Sequence, residues 1–269
     1  GLGDVYKRQD ASFACAPERD VVYAERLEGG IEVVYLNQPR KKNALSGEMM
    51  TKLDALLRAA DVDDGVRVVV LRGAGDDFSS GGDLDQGPAL EPGPEGARKT
   101  LRRYLAVVRT IRTMSKPVVA MVDGYAVGGA FALVCASDLV CASERALFVP
   151  AFCQIGIVPE MGMMKLLPDL VGPQRAKELL FFGGKIPALQ LYDWGVVNRV
   201  FPTETLEADT LWFARQLAGM PDASIHLTKN IMNALADGNL EACLEAESTA
   251  SPFCTTTKAY AATMEKFAR

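Results

Sequence analysis

The chain has 269 residues, of which 49% are hydrophobic and 23% charged, and its formal net charge is −5. This balance is typical of a globular protein with a large buried core, and no apolar run is long enough for a transmembrane helix. The acidic charge, without a basic stripe interleaved with aromatic residues, argues against a nucleic-acid-binding protein. We therefore expect one main domain and a cytoplasmic location.

Cysteine and histidine content limits the possible sites. The six cysteines are scattered without CxxC spacing, so we expect reduced, mostly core thiols rather than disulfides or a zinc site. The single histidine, His226, excludes a multi-histidine metal centre. We expect no metal and no bound cofactor. A hydrolase using Ser80 or Cys153 would depend on His226 alone, and we disfavour it.

The N-terminal part of the chain predicts a hairpin followed by a helix. Two short alternating runs, Val21–Glu25 and Ile31–Leu36, flank the turn signal Gly29-Gly30. Ser46 is suited to cap a helix that runs to about Ala60. The apolar residues on one face of that helix are Met50, Leu53, Leu57 and Ala60.

Two glycine turns, each after a buried strand, carry the strongest chemical signal. Val66–Leu71 leads into Ser80–Asp83, and Val118–Val122 leads into Gly128-Gly129 and a buried helix, Ala130–Ala136. The first N–H groups of a helix are free, and glycines let a ligand oxygen approach them. Gly128-Gly129 alone would favour close helix packing over a site. Two such turns together predict an oxyanion site, with Asp83 as a helix cap.

The rest of the chain is predicted to be mostly helical, with short strands at Leu139–Ala142 and Ala146–Phe148. The spacing of apolar residues predicts a helix over Leu101–Met114, which overlaps the basic segment Arg98–Arg112. That segment indicates a solvated helix face or, less favoured, a contact to phosphates. The other predicted helices are Gln174–Phe182, Leu189–Trp194, Leu206–Leu217, Ser224–Ala236, Leu240–Ser248 and a last helix to Phe267.

Several segments together, from about Val21 to the C-terminus, resemble the enoyl-CoA hydratase/isomerase (crotonase) superfamily in order and spacing. They are Leu36–Ser46, Val66–Leu84, Lys116–Leu139, Ile155–Gly162, Leu166–Gly172 and Trp194–Pro202. The resemblance implies an α/β crotonase spiral of repeated ββα units over residues 21–203. It also implies a C-terminal helical trimerisation region over residues 204–269, and hence a homotrimer or a dimer of trimers. Residues 1–20 are expected to be a disordered or non-native leader.

The resemblance also implies the roles of particular residues. The backbone N–H groups of Gly82 and Gly129 would bind the oxygen of an acyl-CoA thioester. The turn after the second strand would contact coenzyme A, although its cationic residues alone indicate only a solvated turn. The predicted substrate- and CoA-binding residues are Arg40, Lys41, Ala44, Leu45, Ser80, Asp83, Leu84 and Phe152.

A departure from the family's hydratases favours a different reaction. Those enzymes use two glutamates to activate water, and the corresponding positions here are Ala132 and Phe152. Glu160 remains. A Pro-Glu pair is also a good helix start, and this alternative is favoured by the residues alone. Isomerases of the superfamily carry a carboxylate at this point, so the resemblance favours Glu160 as the base.

The sequence therefore predicts an enzyme that moves a double bond in an enoyl-CoA, with Glu160 carrying the proton and CoA entering as part of the substrate. We expect nearby apolar residues to raise the pKa of Glu160, namely Phe152, Met161, Met163 and Met164. Three alternatives stay open: epoxide isomerisation, thioester hydrolysis or weak hydration on the same scaffold; a catalytically silent acyl-CoA-binding protein; and the disfavoured hydrolase.

Overall fold

The structure, a computed structural model, describes residues 20–83 and 93–267. Its strands form a six-stranded sheet in the order β1-β2-β3-β4-β6-β9 and a three-stranded sheet in the order β5-β7-β8. The strands are β1 (Val22–Leu27), β2 (Ile31–Leu36), β3 (Val68–Gly73), β4 (Val118–Val122), β5 (Tyr125–Val127), β6 (Leu139–Ser143), β7 (Leu147–Val149), β8 (Ile186–Pro187) and β9 (Arg199–Phe201).

Ten α-helices surround these sheets in the described part of the chain. They are α1 (Gly47–Val62), α2 (Gly93–Thr113), α3 (Gly129–Ala136), α4 (Met163–Val171), α5 (Pro173–Phe182), α6 (Ala188–Asp193), α7 (Leu206–Ala218), α8 (Asp222–Ala236), α9 (Leu240–Cys254) and α10 (Lys258–Phe267). Short 3₁₀ turns lie at Pro39–Lys41 and Cys153–Ile155.

The large sheet is covered on both faces, which explains its nearly continuous valine-rich strands. In β3, Val69 and Leu71 belong to the main core with α1, α2 and α3, whereas Val68 and Val70 belong to a second core that includes Leu206 and Ala214 of α7. Successive strand residues point to opposite faces, so one strand serves both cores. The pattern confirms a mixed α/β protein with a C-terminal helical region.

Local signals predicted the elements where they were strong. The β1–β2 hairpin turns through Gly29 and Gly30, which have φ of 83° and 77°. Ser46 Oγ accepts a hydrogen bond of 3.1 Å from Met49 N at the start of α1. The strand over Val118–Val122 is also confirmed.

Other boundaries differ from the prediction. Residues 125–127, for which no strand was predicted, form β5 because β7 pairs with them in parallel. Helix α2 begins at Gly93 rather than Leu101. Helix α9 continues past Ser248 to Cys254, with Pro252 in its last turn.

The basic segment of α2 forms ion pairs with the α9 region. Arg109 Nε lies 2.8 Å from Glu241 Oε1, Arg112 Nε lies 2.7 Å from Asp237 Oδ2, and Arg98 pairs with Glu245. Arg98 and Arg109 therefore join α2 to α9, whereas Arg112 joins α2 to the C-terminal end of α8.

Five free cysteines lie in the described residues, and Cys15 lies outside them. Cys135 and Cys141 are buried as expected, but Cys153 is exposed and is not a core thiol. Within residues 20–83 and 93–267, no cluster of three or more His, Cys, Asp or Glu side chains could hold a metal ion. No helix of those residues is long and apolar enough to cross a membrane.

A buried ion pair joins α8 to the strand that leads into the second glycine turn. Lys229 Nζ lies 2.7 Å from Asp138 Oδ2 and donates a 2.8 Å hydrogen bond to the Lys116 carbonyl. Asp138 Oδ2 also accepts a 2.7 Å hydrogen bond from Val118 N. Both side chains are largely buried, so loss of either partner leaves an uncompensated polar group.

We expect Lys229→Ala to lower the free energy of unfolding by about 3–5 kcal/mol, because it leaves the Asp138 carboxylate buried without its cation. Urea denaturation measures the change. Arg58→Ala is the control, since its pair with Asp54 is exposed on the arginine side and is worth less than about 1 kcal/mol. Equal losses in the two variants would contradict a structural role for the buried pair.

Candidate active site

A cavity of about 130 Å³ lies where the two glycine turns meet the C-terminal helices. Its lining is mostly apolar, and the acidic side chains in it are Asp83 and Glu160. The lining residues are Leu45, Ser80, Gly81, Gly82, Asp83, Ala97, Thr100, Leu101, Tyr104, Val127, Gly128, Gly129, Ala151, Phe152, Ile155, Ile157, Glu160, Met161, Ser251, Pro252, Thr255 and Tyr260.

The first glycine turn is held between Leu45 and β5. Leu45 N donates a 2.7 Å hydrogen bond to the Gly81 carbonyl, and Asp83 N donates one of 3.0 Å to the Leu45 carbonyl. A Cβ on Gly81 would lie 2.5 Å from the Val127 carbonyl oxygen, and Gly81 has a φ of 86°. Only glycine allows this close approach without strain. Gly82, next in the chain, faces open space in the cavity.

The second glycine turn ends at the first residue of α3. Gly128 has a φ of 53° and donates a 2.8 Å hydrogen bond to the Val149 carbonyl. Gly129 begins the helix, and the first N–H groups of a helix have no intrahelical acceptor. In the described part of the chain, the N–H groups of Gly82 and Gly129 make no hydrogen bond. Both can therefore donate to a ligand oxygen.

Glu160 lies in the turn that precedes α4. Met161 and Gly162 follow it in left-handed conformations, with φ of 59° and 77°. Met161 Sδ packs so closely over Gly129 that a Cβ there would lie 2.8 Å away. The turn that carries Glu160 is thus in direct contact with the second glycine turn.

Glu160 is a half-buried residue in the cavity lining, and its carboxyl accepts a short hydrogen bond from Ser251 Oγ through Oε1. Burial raises the pKa of Glu160 to about 7. The Ser251 hydrogen bond lowers the pKa, and the nearby Glu247 carboxyl raises it further. A carboxyl group with this pKa can both accept and return a proton near neutral pH.

Two expectations about Glu160 need correction. Its role as a helix-start residue is wrong, because α4 begins at Met163 with Gly162 as its N-cap, and the Glu160 side chain bonds Ser251 instead. Phe152 and Met161 line the cavity with Glu160, as expected. Met164 points outward and is 36% exposed, so it does not help to bury the carboxyl.

The predicted substrate-binding residues divide into two groups. Leu45, Ser80, Asp83 and Phe152 line the cavity. Three others lie outside its lining, namely Arg40, Lys41 and Ala44, although Lys41 Nζ reaches within 3.4 Å of Asp83 Oδ2. Leu84 lies outside the described residues, and with it the helix that Asp83 was expected to cap. The CoA contacts of these residues stay predictions.

Residues from helices far along the chain complete the cavity, and local sequence patterns did not indicate them. They are Tyr104 of α2, Ser251 and Pro252 of α9, Thr255, and Tyr260 of α10. Tyr104 donates a 2.7 Å hydrogen bond to the Leu45 carbonyl, which places α2 over the first glycine turn. The signal that the sequence offers is the group of polar residues Glu247, Ser248 and Ser251, which the structure shows to be buried in α9. No local pattern connects that helix to Glu160.

His226 is not in the cavity. It lies on α8, where its Nε2 is 3.0 Å from Asp222 Oδ1. The described lining contains Ser80 but no histidine, and Ser80 Oγ donates to the Lys41 carbonyl at 3.2 Å. This arrangement gives no support to a hydrolase that pairs Ser80 or Cys153 with His226.

Comparison with known proteins agrees with this geometry. The family model described as enoyl-CoA hydratase/isomerase matches residues 26–268. The chain belongs to this family. It is 37% identical to 4-chlorobenzoyl coenzyme A dehalogenase-1 of an Arthrobacter species, over 81% of this chain and 80% of the relative. It is 33% identical to 1,2-epoxyphenylacetyl-CoA isomerase of Escherichia coli K12, over 82% and 85% of the two chains.

Two further comparisons concern a relative that is named as an isomerase and a solved structure with a similar fold. Enoyl-CoA delta isomerase 2 of Rattus norvegicus is 35% identical over 82% of this chain, which spans 57% of that longer relative. The crystal structure of an enoyl-CoA hydratase from Mycobacterium avium subsp. paratuberculosis superposes with a TM-score of 0.84, at 28% identity and over 93% and 96% of the two chains. The crotonase fold predicted from the sequence is confirmed.

We expect Gly129→Ala to lower the free energy of unfolding by about 1–3 kcal/mol, because the added methyl group must displace Met161. Gly82→Ala is the matched control, since its Cβ meets no atom within 4 Å and the change is expected within about 0.5 kcal/mol. Urea denaturation measures both, and a crystal structure of Gly129→Ala would show the shift of the Glu160 turn. Equal stabilities would mean that Met161 moves aside freely.

Proposed function

We propose that this protein is an enoyl-CoA isomerase that converts a 3-enoyl-CoA into a 2-enoyl-CoA. The observation that supports it most is the joint presence, in one apolar cavity, of two unpaired glycine N–H groups and a carboxyl group with a pKa of about 7. The N–H groups of Gly82 and Gly129 suit a thioester oxygen on which negative charge develops. Glu160 suits the proton transfer.

The proposed reaction is a proton shift along the acyl chain. Gly82 and Gly129 donate hydrogen bonds to the thioester oxygen, and ionised Glu160 removes a proton from C2, giving a dienolate. Protonated Glu160 then returns that proton to C4, so that the double bond moves from C3–C4 to C2–C3. Stabilisation of the enolate oxygen is a large contribution, since removal of one such donor typically costs about 10²–10³-fold in rate.

Isomerisation is favoured over hydration by what surrounds Glu160. Hydration needs a second acid–base group to hold and activate water, and the two positions that supply such groups in the family's hydratases are apolar here. Ala132 is fully buried in α3, and Phe152 is a wall of the cavity. The other acidic lining residue, Asp83, lies beside Lys41. A single carboxyl suffices when the same proton leaves and returns.

We expect Glu160→Gln to lower turnover of 3-enoyl-CoA by roughly 10²–10⁴-fold, because glutamine cannot take up the proton. For the wild-type protein, kcat/KM should rise with pH and level off with a midpoint at about 7, since the ionised form of Glu160 is the base. Steady-state assays at equal folded concentration measure both, and Glu160→Asp, which keeps a carboxyl at shorter reach, is expected to lie between.

A panel of acyl-CoA thioesters separates the proposal from the other reactions of the family. It comprises a 3-enoyl-CoA, a 2-enoyl-CoA, 1,2-epoxyphenylacetyl-CoA and 4-chlorobenzoyl-CoA. Equal turnover by wild type and Glu160→Gln would remove Glu160 from the mechanism. Turnover of another thioester but not of the 3-enoyl-CoA would replace the isomerase proposal. Tight binding of all thioesters without turnover would indicate a silent binding protein.

We also propose that the chain assembles as a homotrimer or a dimer of trimers. Helix α8 supports this, because Leu227, Ile231 and Leu235 are spaced four residues apart and are 60%, 58% and 81% exposed. An exposed apolar stripe of this kind is typical of an interface. Light scattering after size-exclusion chromatography is expected to give three or six times the chain mass, and Ile231→Glu to reduce it. A wild-type monomer would contradict the proposal.

A further inference from the structure

Helix α9 presents one buried face to the Glu160 turn. The residues on that face are spaced at helical intervals: Leu240, Leu244, Glu247 and Ser251. Each of them is no more than 4% exposed. A stripe of this kind is usually apolar throughout, so a fully buried glutamate within it needs an explanation.

The explanation lies in the contacts of Glu247. Its Oε2 accepts a 2.9 Å hydrogen bond from the backbone N–H of Gly162, and its Oε1 accepts one of 3.2 Å from Cys243 Sγ. Leu240 and Leu244 pack at the same glycine, because a Cβ on Gly162 would lie 3.1 Å and 3.5 Å from their methyl groups. Helix α9 therefore holds the turn at Gly162 by one hydrogen bond and by apolar packing.

These contacts hold a backbone segment with a strained conformation at Met161. Met161 is one of three non-glycine residues with positive φ in the described chain, and such a strained conformation persists only where its surroundings enforce it. Met161 lies between Glu160 and Gly162. Holding Gly162 therefore fixes the backbone of Met161 and, through it, the direction of the Glu160 side chain.

Four residues along α9 from Glu247, one helical turn further, Ser251 holds the carboxyl itself. Its hydroxyl donates to Glu160 Oε1, and both residues line the cavity. We propose that Glu247 and Ser251 are positioning residues that together aim the Glu160 carboxyl into the cavity, Glu247 through the backbone of the turn and Ser251 through the side chain. The positioning role rests on the proposed function in one respect, namely that Glu160 transfers a proton.

The two positioning residues have opposite effects on the ionisation of Glu160. The Ser251 hydrogen bond stabilises the carboxylate and lowers the pKa of Glu160, whereas the Glu247 carboxyl raises it. Burial also raises the pKa of Glu247 itself. The other titratable groups facing Glu160 are Tyr104 of α2, Tyr260 of α10 and, across the cavity, Asp83. Burial raises the pKa of both tyrosines, so neither changes charge near neutral pH.

The surroundings of Glu247 also come from more than one helix. Cys243 lies on its own helix, and burial raises the pKa of that thiol to about 12. Lys165 of α4 lies near Cys243 and pairs with Asp169. The N–H groups of Gly162 and Met164 both stabilise the ionised form of Glu247. Replacement of Glu247 by glutamine keeps an acceptor for Gly162 N–H and removes the charge.

The test measures the ionisation of Glu160 in the free protein. Carbon-13 NMR of protein labelled at the glutamate carboxyl carbon gives one titration curve per glutamate, and the curve lost in Glu160→Gln identifies Glu160. We expect a midpoint of about 7 in the wild type. Ser251→Ala should move the midpoint up, and Glu247→Gln should move it down, each by about one pH unit. Ser248→Ala is the control, because its buried hydroxyl donates to the Glu245 carbonyl on the same helix.

Kinetics on 3-enoyl-CoA provide the second readout. A midpoint raised by one unit lowers the ionised fraction of Glu160 about fivefold at pH 7, so Ser251→Ala should lose about fivefold in kcat at that pH and recover by pH 9. Glu247→Gln should gain about fivefold at pH 6. Little change in KM is expected, because both residues act through Glu160. A merely structural role would lower activity equally at every pH.

Each outcome decides one of the two proposals. Midpoints that do not move in Ser251→Ala and Glu247→Gln, or that move equally in Ser248→Ala, overturn the positioning role even when the wild type isomerises 3-enoyl-CoA. Shifted midpoints without turnover of any 3-enoyl-CoA leave the positioning role intact and reject the isomerase. Shifted midpoints with the matching pH profiles support both.

Discussion

The close approach of two backbone turns is the constraint on which the rest of the site depends. Gly81 lies against the Val127 carbonyl, where a Cβ would be 2.5 Å from the oxygen, so no other residue fits there without moving β5. Gly82, which follows Gly81, and Gly129, in the turn after Val127, both line one cavity. Met161 then packs on Gly129 and brings Glu160 to the same place. Glu160 and the two glycine turns therefore line one cavity because these segments pack directly against one another.

The buried carboxyl of Glu160 has a cost in stability that follows from its pKa. Its pKa is raised from 4.5 to about 7 in the folded protein, so between these pH values the native state binds more protons than the unfolded chain. Stability contributed by Glu160 is therefore present in its protonated form at low pH and is lost as the pH rises from about 4.5 to 7. The hydrogen bonds from Ser251 to Glu160 and from Gly162 to Glu247 offset part of this loss. A carboxyl group with a pKa shifted in this way, in a cavity, is a candidate for a functional role.

How far the sequence predicts this protein depends on the range of the interactions. The cap at Ser46 and the buried strand Val118–Val122 depend on neighbours within a few residues, and both were predicted correctly. The two glycine turns were also recognised, since each follows its strand directly. β5 was missed because a three-residue strand exists only by pairing with β7. Ser251, 91 residues from the carboxyl it bonds, could not be connected with Glu160 by any local pattern.

The C-terminal helices are therefore part of the site as well as a candidate assembly region. Helix α9 reaches the Glu160 turn through Glu247 and Ser251, and it is joined to α2 by the ion pairs of Glu245 with Arg98 and of Glu241 with Arg109. Helix α2 in turn carries Tyr104, which bonds the Leu45 carbonyl beside the first glycine turn. The two helices form a continuous connection from Glu160 to the first glycine turn. A change that loosens α9 is thus expected to disturb both ends of the proposed reaction, because the same helix pair supports the proton carrier and one of the two donors.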